Sequence, residues 1–191
     1  MAGAPDESEM LHLTDRRTWR DWLAEHWKSE TEVWLVYAKR HTGRPRIAYN
    51  DAVEEALCFG WIDSIVRTID DERYAQRFSV RNPKRPYSQA NKERLRALIE
   101  QGKVVDEVLA TLGDLAHEEF SVPPDILAAI REDPAAWRHF QSFSPPYVRI
   151  RIAFIDAARD RPEEFRKRLA HFIRMTAKDK RFGFGGIEKY Y

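Results

Sequence analysis

Apolar residues recur at helical spacing through Trp19, Trp22, Leu23 and Trp27, with Thr14 or Asp15 placed to cap the helix they predict. The run from Val33 to Ala38 is apolar at consecutive positions, the pattern of a strand covered on both faces. "HTGRP" predicts a turn and "RIAY" a short second strand. Asp51 and Glu54 have the spacing of a capping box ahead of Val53, Ala56, Leu57 and Trp61, and Gly60 falls where that helix should stop. "SIVRTI" and "YAQRFSVR", joined by the polar "DDER", predict an antiparallel hairpin. Ser88 is placed as the N-cap of a helix that stops at Gly102.

After the prolines of "SVPP" the pattern is helical only. One helix is expected from Asp125, with "EDPAAWRHF" as its continuation or a second short helix. Another follows "SPP" with Tyr147, Ile150, Phe154 and Ile155, and a last one from Pro162 carries Phe165, Leu169, Phe172 and Ile173. The expected fold is α+β: a small antiparallel sheet packed with helices, followed by a helical C-terminal unit. The expected organisation is a flexible tail at 1–10, an α+β domain at 11–120, the helical unit at 121–181 and a glycine-rich tail at 182–191.

Composition narrows this picture little. The 191 residues suit one domain with an appendage, and 32 basic residues against 31 acidic ones select no partner by net charge. The single cysteine, Cys58, excludes an internal disulfide and fits a reducing compartment. The acidic start "MAGAPDESEM" lacks the order of a secretory signal, and "VWLVYA" falls far short of the ~20 residues that span a bilayer. A cytoplasmic protein without membrane insertion is expected.

The stretch "EEALCFGWIDS" carries the sharpest question. Its apolar run is explained by burial, but a carboxylate at Asp63 beside large apolar groups must be paired or hydrogen-bonded. Together with "RTIDDERYAQRFSVR" and "YSQAN", and with "WLVYAKRHTG", "PAAWRHF", "PPYVR" and "GFGGIEKYY", it resembles the bacterial YdeI/OmpD-associated, bacteriocin-protection family. Val80 stands before Arg81 where that family carries proline, and Tyr87 stands before Ser88 where it carries tryptophan. The resemblance implies a role in tolerance of antimicrobial peptides and membrane stress, by binding. It brings no catalytic residues.

From the residues themselves, Trp61, Asp63, Arg81, Ser88 and Asn91 form a candidate ligand-binding set. Arg81 and the amino end of the Ser88 helix would make a small-anion site, because free N–H groups there favour negative charge. The plain alternative is an Arg81–Asp63 ion pair with Ser88 as a cap. A cofactor-free enzyme using Asp63 as acid/base beside Arg81 is a further reading. Two basic stretches, Arg77 to Arg96 and Arg166 to Arg181, leave a nucleic-acid face open, against a near-zero total charge and no recognition signature. The histidines show no metal-ligand spacing, no phosphate loop occurs, and no cofactor is expected. The partner is a small anion or another protein. The clustered tryptophans also permit a pocket between the first helix and the sheet.

Overall fold

The structure, a computed structural model, describes residues 10–115 and 118–183; the tails expected at the two ends fall mostly outside the described residues. Among the described residues four strands and eight α-helices follow in the order β1 (Met10–Leu11), α1 (Arg16–His26), β2 (Glu32–Ala38), α2 (Tyr49–Cys58), β3 (Trp61–Thr68), β4 (Arg73–Val80), α3 (Gln89–Glu100), α4 (Asp106–Leu109), α5 (Pro124–Arg131), α6 (Pro134–Phe140), α7 (Pro145–Asp156) and α8 (Pro162–Ala177). The fold is α+β, with a helical C-terminal region. The chain divides into two compact units, one of 1–86 with 95–113 and one of 87–94 with 114–191.

In the first unit the sheet order is β1-β2-β4-β3. The β2–β4 and β4–β3 pairs are antiparallel, as the hairpin pattern predicts, but β1 runs parallel to β2, so the sheet is mixed. The reason lies in α1: a helix between two strands carries the chain back to the same end, and the second strand then runs in the same direction. Asp15 starts α1, its carboxylate accepting the Thr18 N–H at 3.0 Å. Trp19 and Leu23 are fully buried on its inner face, each contributing on the order of 2 kcal/mol or more. The Trp19 indole N–H donates to Ala52 O at 3.0 Å and its ring lies 5.3 Å from Phe78, so one side chain ties α1 to both α2 and the sheet.

Five consecutive residues of β2, Val33 to Tyr37, are buried, which is the two-sided cover read from the sequence. One face places Leu35 and Tyr37 beside Gln76 and Tyr74; the other gathers Trp34, Val36 and Ala75 with Met10 and Ile69. "RIAY" is not a strand. Both edges of β2 already face β1 and β4, and the segment instead leads into α2 with Ile47 as its buried anchor.

The Asp51/Glu54 spacing is not a capping box either. α2 begins earlier, at Tyr49, behind Ala48, which supplies no side-chain cap. Asp51 and Glu54 instead meet Arg16 at 2.9 and 3.1 Å, and Glu55 meets Arg16 and, at 2.6 Å, Arg20. The acidic face of α2 is thus held by two arginines of α1. Gly60 ends this region at φ +72°, where a Cβ would approach Val108 to 3.2 Å. One extra residue between Asp63 and Val66 then makes a bulge in the edge strand β3.

In the second unit each of α5 to α8 opens with proline, whose missing N–H is harmless in a first turn. "EDPAAWRHF" forms the second short helix, α6, because Asp133 stops α5 and its side chain accepts the N–H groups of Ala135 and Ala136. Ile126, Ile130, Phe140, Tyr147, Ile155 and Phe172 form the core of this unit.

Candidate functional site

Helix α2 delivers the chain through Gly60 into β3, and the alternation of a strand puts Trp61 and Asp63 on one face. Trp61 is 1% exposed. Its indole N–H donates to Trp27 O at 3.3 Å, and its ring meets Trp22 edge-on at 6.0 Å. It is core that supports the site rather than a surface that a ligand touches.

Asp63 is half-buried, and its bonding is specific. The Tyr49 hydroxyl donates to Oδ2 at 2.7 Å, and the Gln76 side-chain amide donates to the same oxygen at 3.5 Å. Gln76 is itself 3% exposed and also donates to Ser64 O. The carboxylate that demanded a partner is satisfied by a phenol and an amide, with Oδ1 left as an acceptor.

Next to this network lies Tyr37, stacked on Tyr74 with centroids 5.1 Å apart. The Tyr37 hydroxyl is buried and has no hydrogen-bond partner among the described residues. Burial, with Tyr74, Tyr49 and Asp63 nearby, holds its phenol well above the ordinary tyrosine range, and Arg46 opposes this. A buried donor left unpaired costs about 1–3 kcal/mol, so a group that accepts from Tyr37 would be favoured here. A carboxylate, three phenols and an amide therefore lie near one another, drawn from α2 and from β2, β4 and β3.

Of the residues singled out from the sequence, Trp61, Asp63 and Arg81 belong to the first unit. The Arg81 backbone N–H donates to Gly60 O at 3.0 Å, which closes the end of the hairpin. Ser88 and Asn91 belong to the second unit. Ser88 Oγ accepts the Asn91 N–H at 3.3 Å as a helix cap, and Asn91 Oδ1 accepts from Arg94 at 2.8 Å. Ser88, Ile150, Arg151 and Phe154 line a cavity of 240 Å³ in that unit. Tyr49, Gln76 and Tyr37 were missed in the sequence. Gln76 had a signal, because it falls between Tyr74 and Phe78 on their inward strand face. Tyr49 had none, since it was assigned to a strand that does not form.

The first unit also holds a cavity of 470 Å³ beside the C-terminal end of α1 and the start of β2. Trp22, His26, Glu30, Glu32, Val33 and Trp34 are among its walls. Trp22 stacks on Trp19 at 5.4 Å and on His26 at 4.7 Å, a row of rings set by the i, i+3 and i+4 spacings of one helix. Within the basic stretches, Arg77 meets Glu32 at 3.4 Å, Lys92 pairs with Glu118, and Arg168 meets Glu164 at 2.7 Å.

Residues 11–111, just over half of the chain, match the family described as Domain of unknown function (DUF8412). The chain belongs to this family. Residues 119–179 match a second family, OmdA, described as Bacteriocin-protection, YdeI or OmpD-Associated. In this DUF8412 chain the OmdA match falls on the segment that forms α5 to α8, which contains "PAAWRHF" and "PPYVR". "EEALCFGWIDS" and the Asp63 network lie within the DUF8412 match. No curated protein and no solved structure matches the chain. Among the described residues no helix is long and apolar enough to cross a membrane.

Proposed function

We infer that this protein is a bacteriocin-protection-associated protein of the cytoplasm that acts by binding, with Asp63 as the ligand contact of its first unit. The OmdA match at 119–179 is the observation that carries the association with antimicrobial stress. Binding is supported by the bonding of Asp63. Its carboxylate takes hydrogen bonds from Tyr49 and Gln76, which orient it. A small polar molecule would accept from the Tyr37 hydroxyl and donate to Asp63 Oδ1. The acid/base reading at Asp63 beside Arg81 has less support, because the carboxylate bonds to a phenol and an amide.

The reading is tested by thermal shift against small anions, nucleotides, polyols and cationic peptides, at low and moderate salt. A ligand at ~100 times its dissociation constant adds about 2.7 kcal/mol of stability to the state that binds it. A shift present in the wild type and lost in Asp63→Asn supports the site. A shift unchanged in Asp63→Asn removes Asp63 from the binding function, and turnover of any panel member that Asp63→Asn abolishes replaces binding by catalysis.

A further inference from the structure

We propose that the second unit holds a binding site for a small organic acid, a carboxylate carried on an apolar body, in a cavity of 210 Å³ lined by α7, α8 and Phe182. The cavity is smaller than the ~300–1,000 Å³ of pockets for drug-sized molecules, which matches it to a small acid. It shares Arg151 and Phe154 as walls with the 240 Å³ cavity beside Ser88. Asp63 lies in the other unit.

Charge in the walls selects the sign of the ligand. Arg151 is 3% exposed, and its guanidinium lies 5.4 Å from the ring centroid of Phe182, 5.9 Å from that of Tyr147 and 6.0 Å from that of Phe154. A guanidinium keeps its proton in any surroundings, and among apolar groups its field is screened less than in water. Lys167 adds a second positive charge from an exposed position and makes no ion pair among the described residues. The one carboxylate of the lining, Glu164, accepts from Arg168 Nε at 2.7 Å. The lining thus carries three cations, Arg151, Lys167 and Arg168, against that single acid. His171 Nδ1 accepts from Arg174 at 2.8 Å, which puts the ring proton on Nε2 as a further donor. The surroundings have the same sign: between 165 and 183, seven lysines and arginines stand against one acid, Asp179, a field that draws anions in. The sequence placed an anion with Arg81; the structure puts Arg81 in the first unit and supplies Arg151 in the second.

The rest of the wall selects the body of the ligand. Phe154, Ile155, Phe172 and Phe182 supply its apolar surface. Burial of that surface, rather than stacking on an open ring, holds the body, because Arg168 already lies over Phe154 at 3.9 Å. The wall is fixed by contacts within the unit. Arg168 donates to Phe154 O at 2.8 Å, the Phe182 N–H donates to the Tyr147 hydroxyl at 3.3 Å, and Phe172 is fully buried in the core. Preorganisation of this kind lowers the ordering cost of binding.

The test is calorimetric titration of the full chain with phenylacetate, with the neutral isostere phenylacetamide as control. Phenylacetate is expected to bind saturably, about tenfold or more tighter than phenylacetamide, and to weaken about tenfold in Arg151→Gln. Arg151 is buried, so that variant is scored only where its melting curve shows a folded protein. Lys167→Gln, at an exposed position, leaves the core untouched and is expected to weaken binding about threefold. Equal binding of phenylacetamide, no saturable binding up to about 10 mM, or unchanged affinity in Lys167→Gln or in folded Arg151→Gln overturns the proposal. Asp63→Asn is expected to leave phenylacetate affinity unchanged, so failure here is read separately from failure at Asp63.

Discussion

The Tyr49 hydroxyl donates to Asp63 Oδ2 at 2.7 Å, joining the first residue of α2 to the third residue of β3. The contact crosses fourteen residues of sequence and comes about because α2 ends at Cys58 and the chain turns at Gly60 back beside its own helix start. Tyr49 is largely exposed, so this bond orients the carboxylate more than it stabilises the fold. Tyr49→Phe is therefore expected to lower stability by no more than about 1 kcal/mol in urea unfolding, while weakening any ligand that requires Asp63 in its observed rotamer. A loss well above that would make the bond structural.

Tyr37→Phe removes a buried hydroxyl that has no hydrogen-bond partner among the described residues. The variant is expected to be as stable as the wild type or more stable by up to about 1 kcal/mol, because the desolvation cost disappears with the oxygen. A measured destabilisation would show that the hydroxyl is satisfied in solution. Loss of a ligand-induced thermal shift in the same variant would place the ligand against Tyr37.

Glu55 is 2% exposed and is met by Arg16 and Arg20, each about one-third exposed at its side chain. Glu55→Ala leaves two arginines facing each other without their shared carboxylate and is expected to cost about 3 kcal/mol by denaturant unfolding. Arg16→Ala should cost less, because Arg20 still reaches Glu55 at 2.6 Å. Equal costs would show that the arginines act as one unit.

Gly60 combines φ +72° with the close approach of Val108. Gly60→Ala places a side chain in a left-handed backbone conformation and is expected to cost about 1–2 kcal/mol, lowering Tm by roughly 2–6 °C. The double variant Gly60→Ala/Val108→Ala should recover part of that loss if the contact contributes. No recovery would assign the whole cost to the backbone.

Burial pushes the Cys58 thiol up to about 11, with Glu55 nearby reinforcing the shift and Arg20 and Arg16 opposing it. The folded state thus prefers the protonated thiol. Its contribution to stability is complete below the ordinary cysteine value of about 8.5 and is lost as pH rises from there towards about 11. Native protein at pH 8 is expected to react with a thiol reagent only through opening, far more slowly than the unfolded chain. Rapid native labelling would contradict the burial.

The sequence by itself determined the elements whose cause is local. Consecutive apolar residues from Val33 to Tyr37 require cover on both faces wherever the strand lies, and they are buried. Gly60 ended α2 because positive φ is a property of one residue. The four prolines that open α5 to α8 act within a single turn, and the helices start where they stand. The Asp63 carboxylate had to find a partner, and that requirement was also legible.

Tertiary structure decided which partner it found. Tyr49, Gln76 and Tyr37 come from a helix start and two strands, and no short window of sequence contains their meeting. The acidic residues Asp51 and Glu54 show the same division. Their spacing is equally that of a cap and of a helix face, and only the approach of Arg16 from α1 made it the latter. The parallel placement of β1 and the row of rings along the α1 cavity also depend on where a helix packs. Burial of Trp19 against Phe78, with its indole N–H on Ala52, sets that position for the whole first unit.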